Sequence, residues 1–198
     1  MEEIETYKQE VEKNPDDAKA HYNLGVAYYD SGKYQEAIES FKQAIKIDPD
    51  LAEAHNNLAV AYGKSGKYQE EIESYKQAIR IDPDLAEAHY NLGLAYGESG
   101  KYQEAIESYK QAIRIDPDYA KAHCNLGIAY GKSGKYKEAI DAFKQAIRIN
   151  PDYSEAHFNL GIAYLILKDN GSALEQYEIL KNLDPYLANL LFEEINSE

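Results

Sequence analysis

Apolar residues recur at spacings of three and four along most of the chain, which is the period of an amphipathic α-helix. Two such stripes lie within residues 86–119: Leu92, Ala95 and Tyr96, then Ala105, Ile106, Tyr109, Ala112 and Ile113. A polar segment at 98–101 separates them, and Gly100 is suited to the left-handed conformation that ends a helix. The pattern therefore predicts two antiparallel helices joined by a short turn.

The same pattern returns every 34 residues, and three residue types keep that period. The prolines stand at 15, 49, 83, 117, 151 and 185, the histidines are His21, His55, His89, His123 and His157, and the asparagines are Asn23, Asn57, Asn91, Asn125 and Asn159. Each proline is expected to end a helix. The aspartate after it, such as Asp118, is expected to cap the next helix, and Asp50 with Glu53 is similar to a capping box.

These signals predict an all-α chain of twelve helices. The predicted segments are a cap helix at 1–17, helix pairs at 18–51, 52–85, 86–119, 120–153 and 154–187, and a C-terminal cap helix at 188–198. Glu3 and Glu10 replace alanines of the repeat, which favours a natural N-terminal cap over a truncated array. The last segment carries one apolar stripe: Leu187, Leu190, Leu191 and Ile195. A polar-backed helix of this kind is what the end of a repeat array requires.

The repeat resembles the tetratricopeptide family. Its signature residues in one unit are His89, Leu92, Gly93, Tyr96, Ala105, Tyr109 and Pro117, with His at the usual Trp position. The resemblance covers residues 18–187, and the repeats are similar to those in the superhelical domain of O-linked N-acetylglucosamine transferase. It implies a right-handed superhelical solenoid whose first helices line a concave groove. It also implies a protein-binding role.

Charge and composition narrow the range of partners. The formal net charge is −14, which disfavours nucleic acid and anionic membrane surfaces as partners and favours a neutral or basic one. The first ten residues lack the features of a secretory signal, and the apolar runs are too short to cross a bilayer. Cys124 is the single cysteine, which agrees with a reducing compartment. A cytoplasmic location is the expectation.

No motif in the sequence predicts catalysis or a cofactor. The glutamates follow the repeat, and no nucleophile motif or phosphate-binding loop is present. Equivalent histidines of stacked repeats would lie about 8–10 Å apart, too far to share a metal ion, so they are interpreted as structural, with a pH effect on stability left open. Cys124 is expected to be an exposed or half-buried thiol and not a nucleophile.

The resemblance places several residue columns on the groove. The candidate peptide-binding residues are the five asparagines with Tyr22, Asn56, Tyr90, Cys124, Val60, Leu94, Ile128 and Lys121. Another column reads Tyr29, Gly63, Gly97, Gly131 and Leu165, and its three central glycines are expected to leave room for a ligand. The asparagines have two readings: they stabilise the stack, or they form a ladder that grips a peptide backbone.

Two functional hypotheses follow. The first is an adaptor that binds an extended peptide or partner segment in the groove, as a monomer or weak homo-oligomer. The second is a structural scaffold that assembles through its terminal helices, which the predicted caps disfavour. Chaperone tails that end in a carboxylate are not expected to bind in the clamp mode of the family. Lys121 matches one cationic position of that clamp, and the other cationic positions hold uncharged residues.

Overall fold

Residues 2–196 are described by the computed structural model, and they form twelve α-helices without a strand. The helices are α1 (Glu2–Lys13), α2 (Ala18–Asp30), α3 (Tyr34–Ile47), α4 (Ala52–Lys64), α5 (Tyr68–Ile81), α6 (Ala86–Glu98), α7 (Tyr102–Ile115), α8 (Ala120–Lys132), α9 (Tyr136–Ile149), α10 (Ser154–Ile166), α11 (Asn170–Leu183) and α12 (Pro185–Asn196). This confirms the all-α prediction and its helix pairs.

The chain divides into two compact units. The N-terminal unit is Met1–Ala95 and the C-terminal unit is Tyr96–Glu198. In the N-terminal unit α1 packs on α2, and α2 to α5 pack in chain order. In the C-terminal unit α7 to α12 pack in the same way, and α12 also contacts α10. Each unit is therefore built from helix pairs that bury their apolar stripes against their sequence neighbours.

In the α2–α3 and α8–α9 pairs, close approach of the two helices depends on a glycine facing an aromatic ring. A Cβ added at Gly25 would lie 2.6 Å from the ring of Phe41, and one at Gly127 would lie 2.5 Å from Phe143. Both rings are buried, and each lies beside alanines with no exposed surface. A larger side chain at either glycine would separate the helices.

The turn inside each pair is a Schellman motif. At the end of α8, Lys135 N–H bonds the Tyr130 carbonyl at 2.9 Å and Gly134 N–H bonds the Gly131 carbonyl at 3.0 Å. The glycine of this motif has φ of +72° to +75° at residues 32, 66, 100 and 134, which confirms the prediction for Gly100. In the last pair the same position is Lys168, with φ of +62°.

The turn between pairs differs from the prediction. The N-caps of α4 and α8 are Leu51 and Tyr119, and neither makes a side-chain cap bond, so capping by Asp50 and Asp118 is wrong. Instead, the aspartate before the proline makes the side-chain hydrogen bond of this turn. Asp116 accepts the N–H of Asp118 at 3.1 Å and thereby closes a turn around Pro117.

The C-terminal helix α12 covers the last pair. It begins at Pro185, ahead of the predicted boundary at 188, because Asp184 accepts the N–H groups of Tyr186 and Leu187 and proline suits the first helical position. Leu191 is fully buried, and its side chain lies 2.6 Å from a Cβ built on Gly161. The predicted apolar stripe therefore faces α10 and α11.

Within residues 2–196, none of the helices combines the length and the apolar character needed to span a membrane.

Candidate functional site

The five histidines hold the turns between pairs. In each repeat the histidine Nε2 lies 2.8–3.1 Å from the carbonyl oxygen of the proline six residues earlier. A carbonyl can only accept, so Nε2 carries the proton and donates it. The histidine column thus ties the first turn of each first helix to the preceding loop. Among the described residues, no cluster of three or more His, Cys, Asp or Glu is placed to hold a metal ion.

Two of the candidate peptide-binding residues lie in the interior. Cys124 is 1% exposed and Asn56 is 5% exposed, so neither can contact a ligand on the surface. Burial raises the pKa of the Cys124 thiol to about 12, a hydrogen bond with Tyr153 lowers it, and the charge of Glu155 raises it. The predictions that Cys124 is exposed or half-buried and that both residues line the groove are wrong. The large members of the same column, Tyr22, Tyr90 and Phe158, are half-buried, so the two smaller side chains are the ones that lie in the interior.

The asparagines are half-buried, and the side chains of Asn57 and Asn159 bond other groups of the protein. Asn57 donates to the Tyr22 hydroxyl at 2.9 Å and accepts from Asn56 at 3.3 Å. Asn159 donates to the carbonyl of Glu155 in its own helix at 2.8 Å. The Tyr22 bond joins α2 to α4, which favours the stabilising reading at Asn57.

The surface around Tyr22 is acidic. Burial raises the pKa of the Tyr22 phenol, and the charges of Glu53 and Glu87 raise it further, while the bond from Asn57 lowers it. A cavity of about 450 Å³ lies beside this tyrosine, and it is lined by Asp17, Ala18, Lys19, Tyr22, Asp48, Leu51 and Glu53. Three carboxylates against one lysine give this part of the N-terminal unit a negative surface.

A pocket occurs at equivalent positions in both units. The α2–α4 pocket, of about 210 Å³, is lined by Val26, Tyr29, Asp30, Phe41, Asn57 and Val60. The α8–α10 pocket, of about 280 Å³, is lined by Gly127, Ile128, Gly131, Lys132, Tyr136, Ala139, Phe143, Asn159, Ile162, Ala163 and Ile166. All six residues of the first pocket have counterparts in the second, 102 residues later, which is three repeat periods. Each pocket is an aliphatic pair and an asparagine above a buried phenylalanine.

Comparison with known proteins agrees with this architecture. Models described as TPR repeat match residues 25–66, 64–100 and 96–134, and models described as tetratricopeptide repeat match residues 120–153, 6–39 and 142–175. The chain belongs to the tetratricopeptide repeat (TPR) family. No curated protein has significant sequence similarity to it.

Several solved TPR structures are similar in fold. MamA aligns with a TM-score of 0.76 at 29% identity, covering 86% of this chain and 95% of MamA. YrrB, described as a TPR protein with an unusual peptide-binding site, aligns with a TM-score of 0.81 at 20% identity, covering 96% of this chain and 99% of YrrB. MamA from Desulfovibrio magneticus RS-1 aligns with a TM-score of 0.79 at 21% identity, covering 85% of this chain and 96% of that one.

The glycine column of this TPR chain gives open space at only part of its length. A Cβ at Gly131 would meet nothing within 4 Å, and one at Gly97 would meet only the Tyr109 hydroxyl at 3.9 Å. At Gly63, however, a Cβ would lie 2.7 Å from the Glu71 carboxylate. The prediction of room at all three glycines is therefore wrong at Gly63, because the glutamate that replaces the repeat alanine folds over it.

The remaining groove candidates lie at or near the surface. Lys121 is exposed, and Tyr90, Leu94 and Val60 are half-buried, as is Ile128. Of these, Val60 and Ile128 line pockets. Sequence reasoning did not include Tyr136 or Ile166 among the site residues. Tyr136 is the first residue of α9 and Ile166 is the last residue of α10, so they are far apart in the sequence. Only the packed structure shows that both line the same pocket.

Proposed function

We propose that this TPR protein is an interaction module that binds a partner segment along the first-helix surface of each unit. The observation that supports this best is the recurrence of the same pocket in both units. An aliphatic pair such as Ile128 and Ile162, held half-exposed on two neighbouring first helices, offers apolar area that a ligand can cover. Asn159 adds a polar group beside it that can orient a peptide unit.

The spacing of the first helices suits an extended ligand. Helices packed about 8–10 Å apart match roughly three residues of extended chain at about 3.3 Å each. A segment crossing two pairs within one unit could place one side chain in a pocket and a backbone amide near the asparagine. The neighbour YrrB, with its described peptide-binding site, is consistent with a TPR fold of this size binding a peptide.

Charge favours a neutral or basic segment on the N-terminal unit. Asp30 lines the α2–α4 pocket, and the neighbouring cavity has the carboxylates of Asp17, Asp48 and Glu53. The net charge of −14 should also raise the association rate of a cationic segment, because the whole protein attracts it at long range. Binding to the N-terminal unit should therefore weaken as salt is added.

Selection from a displayed library of random peptides tests the proposal. Selected peptides should bind the full chain in calorimetry. The double change Ile128→Gln and Ile162→Gln should weaken binding of peptides that use the α8–α10 pocket, and Val60→Gln should weaken binding of those that use the α2–α4 pocket. Lys137→Gln, on an exposed second-helix position, is the matched control. Selected peptides that bind all of these variants equally would exclude the pockets as the site.

A second function, assembly through the C-terminal end, has its own support. Among the described residues, the exposed large apolar side chains other than Tyr68 all lie near this end: Ile166, Leu167, Leu174, Ile179, Tyr186 and Phe192. Tyr186 and Phe192 lie on the cap helix α12 and the other four on the last helix pair, and a surface that served only to solvate the array would not need them. Light scattering across a wide concentration range tests this, with Leu174→Lys and Tyr186→Lys as the variants and Tyr68→Lys as the control. A monomer at every concentration would exclude self-assembly.

A further inference from the structure

The two equivalent pockets differ at one position that changes their shape. Where the α2–α4 pocket has Tyr29, the α8–α10 pocket has Gly131. The Tyr29 ring packs against Tyr34 with centroids 5.5 Å apart and an angle of 55° between the rings, an ordinary aromatic pair. In the N-terminal unit the protein therefore fills this place with its own aromatic side chain.

In the C-terminal unit the same place is open. Apart from the neighbouring residues and the backbone of α8 itself, nothing lies within 4 Å of a Cβ built on Gly131. Tyr136, the counterpart of Tyr34, lines the pocket together with Ala139. Their counterparts in the N-terminal unit, Tyr34 and Ala37, do not line the smaller α2–α4 pocket, where Tyr29 packs against Tyr34. This pocket is open to solvent and has a volume of about 280 Å³, which is room enough for an aromatic ring, since a closed cavity of roughly 150 Å³ already holds benzene.

The rim of the α8–α10 pocket changes in two further ways. Ile166, which is 47% exposed, stands where α4 has Lys64, so the rim gains an apolar side chain. Lys132 stands where α2 has Asp30, so the charge beside the pocket is reversed. An aromatic ring in this pocket could pack against Tyr136 and Ile166, which both line it, and a carboxylate next to the ring could pair with Lys132.

We propose that the α8–α10 pocket binds an aromatic side chain of a partner segment, with an acidic residue adjacent to it in that segment. The inference rests on the proposed function, because it specifies what one of the two pockets accepts. The ring takes the place that Tyr29 has in the α2–α4 pocket, and Tyr136 supplies the aromatic surface against which it packs. Basic segments remain the preference of the N-terminal unit alone.

The absence of tryptophan from the chain provides a clean assay. A short acetylated, amidated peptide with the central pair Trp-Asp is titrated with the full chain, and its fluorescence reports binding without a tryptophan background. A Tyr-Asp peptide and an Ala-Asp peptide compete against it. The aromatic peptides should bind about tenfold or more tightly than the alanine peptide, since an aromatic side chain is what the pocket buries.

Three variants locate the effect. Gly131→Tyr should fill the pocket and abolish the aromatic preference, whereas Lys137→Gln, on an exposed second-helix position outside the pocket, should retain it. Lys132→Asp should remove the preference for Trp-Asp over a Trp-Lys peptide. Circular dichroism on each variant confirms that the helices are intact.

The outcomes separate this inference from the proposed function. If library peptides bind but contain no aromatic residue, and Gly131→Tyr leaves their affinity unchanged, the aromatic pocket is refuted and the interaction module stands. Equal affinity of the Trp-Asp and Ala-Asp peptides refutes it as well. If Gly131→Tyr acts but Lys132→Asp does not, the acidic neighbour is refuted. If neither the library nor the defined peptides bind, both proposals fail.

Discussion

Replacing Lys168 by glycine should stabilise the protein. Lys168 has φ of +62° in the turn between α10 and α11, and its N–H bonds the Leu165 carbonyl at 2.8 Å. The next residue, Asp169, bonds the Tyr164 carbonyl at 2.9 Å, so the turn is the same Schellman motif as in the other pairs. Those pairs have glycine at this position. A lysine is therefore held in a backbone conformation that side chains with a Cβ disfavour.

The size of the effect follows from two opposing terms. The left-handed conformation costs an L-residue about 1–2 kcal/mol relative to the right-handed one. Glycine has more freedom in the unfolded chain, which takes back about 0.4–1 kcal/mol. The net gain for Lys168→Gly is thus about 0.5–1 kcal/mol, or a rise of about 1–4 °C in melting temperature for a chain of this length. Gly134→Lys should lose a similar amount.

Urea unfolding followed by circular dichroism measures the difference, and hydrogen exchange of the α10 and α11 amides locates it. Local exchange matters because repeat arrays need not unfold in one step. Gly131→Ala is the control: it lies three residues before Gly134 but in ordinary helical conformation, so it should stabilise by about 1 kcal/mol. If Lys168→Gly destabilised the chain while Gly134→Lys cost nothing, the backbone argument would be refuted.

Two substitutions and the reactivity of Cys124 test other parts of the structure. Leu191→Ala should cost about 2–5 kcal/mol in urea unfolding, because the side chain is fully buried under the last pair; no loss would mean that α12 does not dock. His123→Phe keeps the ring but removes the 3.0 Å bond to Pro117, and should cost about 1 kcal/mol by the same measurement, with an unchanged midpoint contradicting the structural role. Cys124, with its pKa raised to about 12, should resist a disulfide reagent at pH 8 until the chain unfolds, and rapid labelling of the folded protein would contradict its burial. Because an unfolded thiol ionises from about pH 9 upward, Cys124 also makes the folded state lose stability as pH rises through that range.

The repeat made much of the fold predictable. Helix identity, helix pairing and the glycine turns depend on local patterns that recur every 34 residues, so each position is predicted several times over. The turn between pairs was harder, because two aspartates flank Pro117 and both are plausible caps. Backbone geometry decides between them: Asp116 reaches the N–H beyond the proline, while Tyr119 occupies the cap position.

The groove was less predictable than the fold. Its residues were assigned from the family geometry, which specifies columns and not the depth of each side chain. Asn56 and Cys124 are buried, while Tyr22 in the same column remains half-exposed. A column shared by all repeats thus contains both interior and surface residues, and only packed coordinates separate them.

Once the structure is known, the repeat allows residues at equivalent positions to be compared directly. Equivalent positions of the repeat lie at the same place in the helix pair. A difference such as Gly131 in one unit and Tyr29 in the other therefore shows what the presence or absence of one side chain does to an otherwise similar pocket. Gly63 is a glycine at the same repeat position as Gly131, but there the side chain of Glu71 lies over it and fills the space. Glu71→Ala should therefore open the surface above Gly63, and in an otherwise wild-type chain it should create a second site for the Trp-Asp peptide. A stoichiometry that stays at one would show that an open glycine is not sufficient, even beside Tyr68 and Lys64, which are the counterparts of Tyr136 and Lys132.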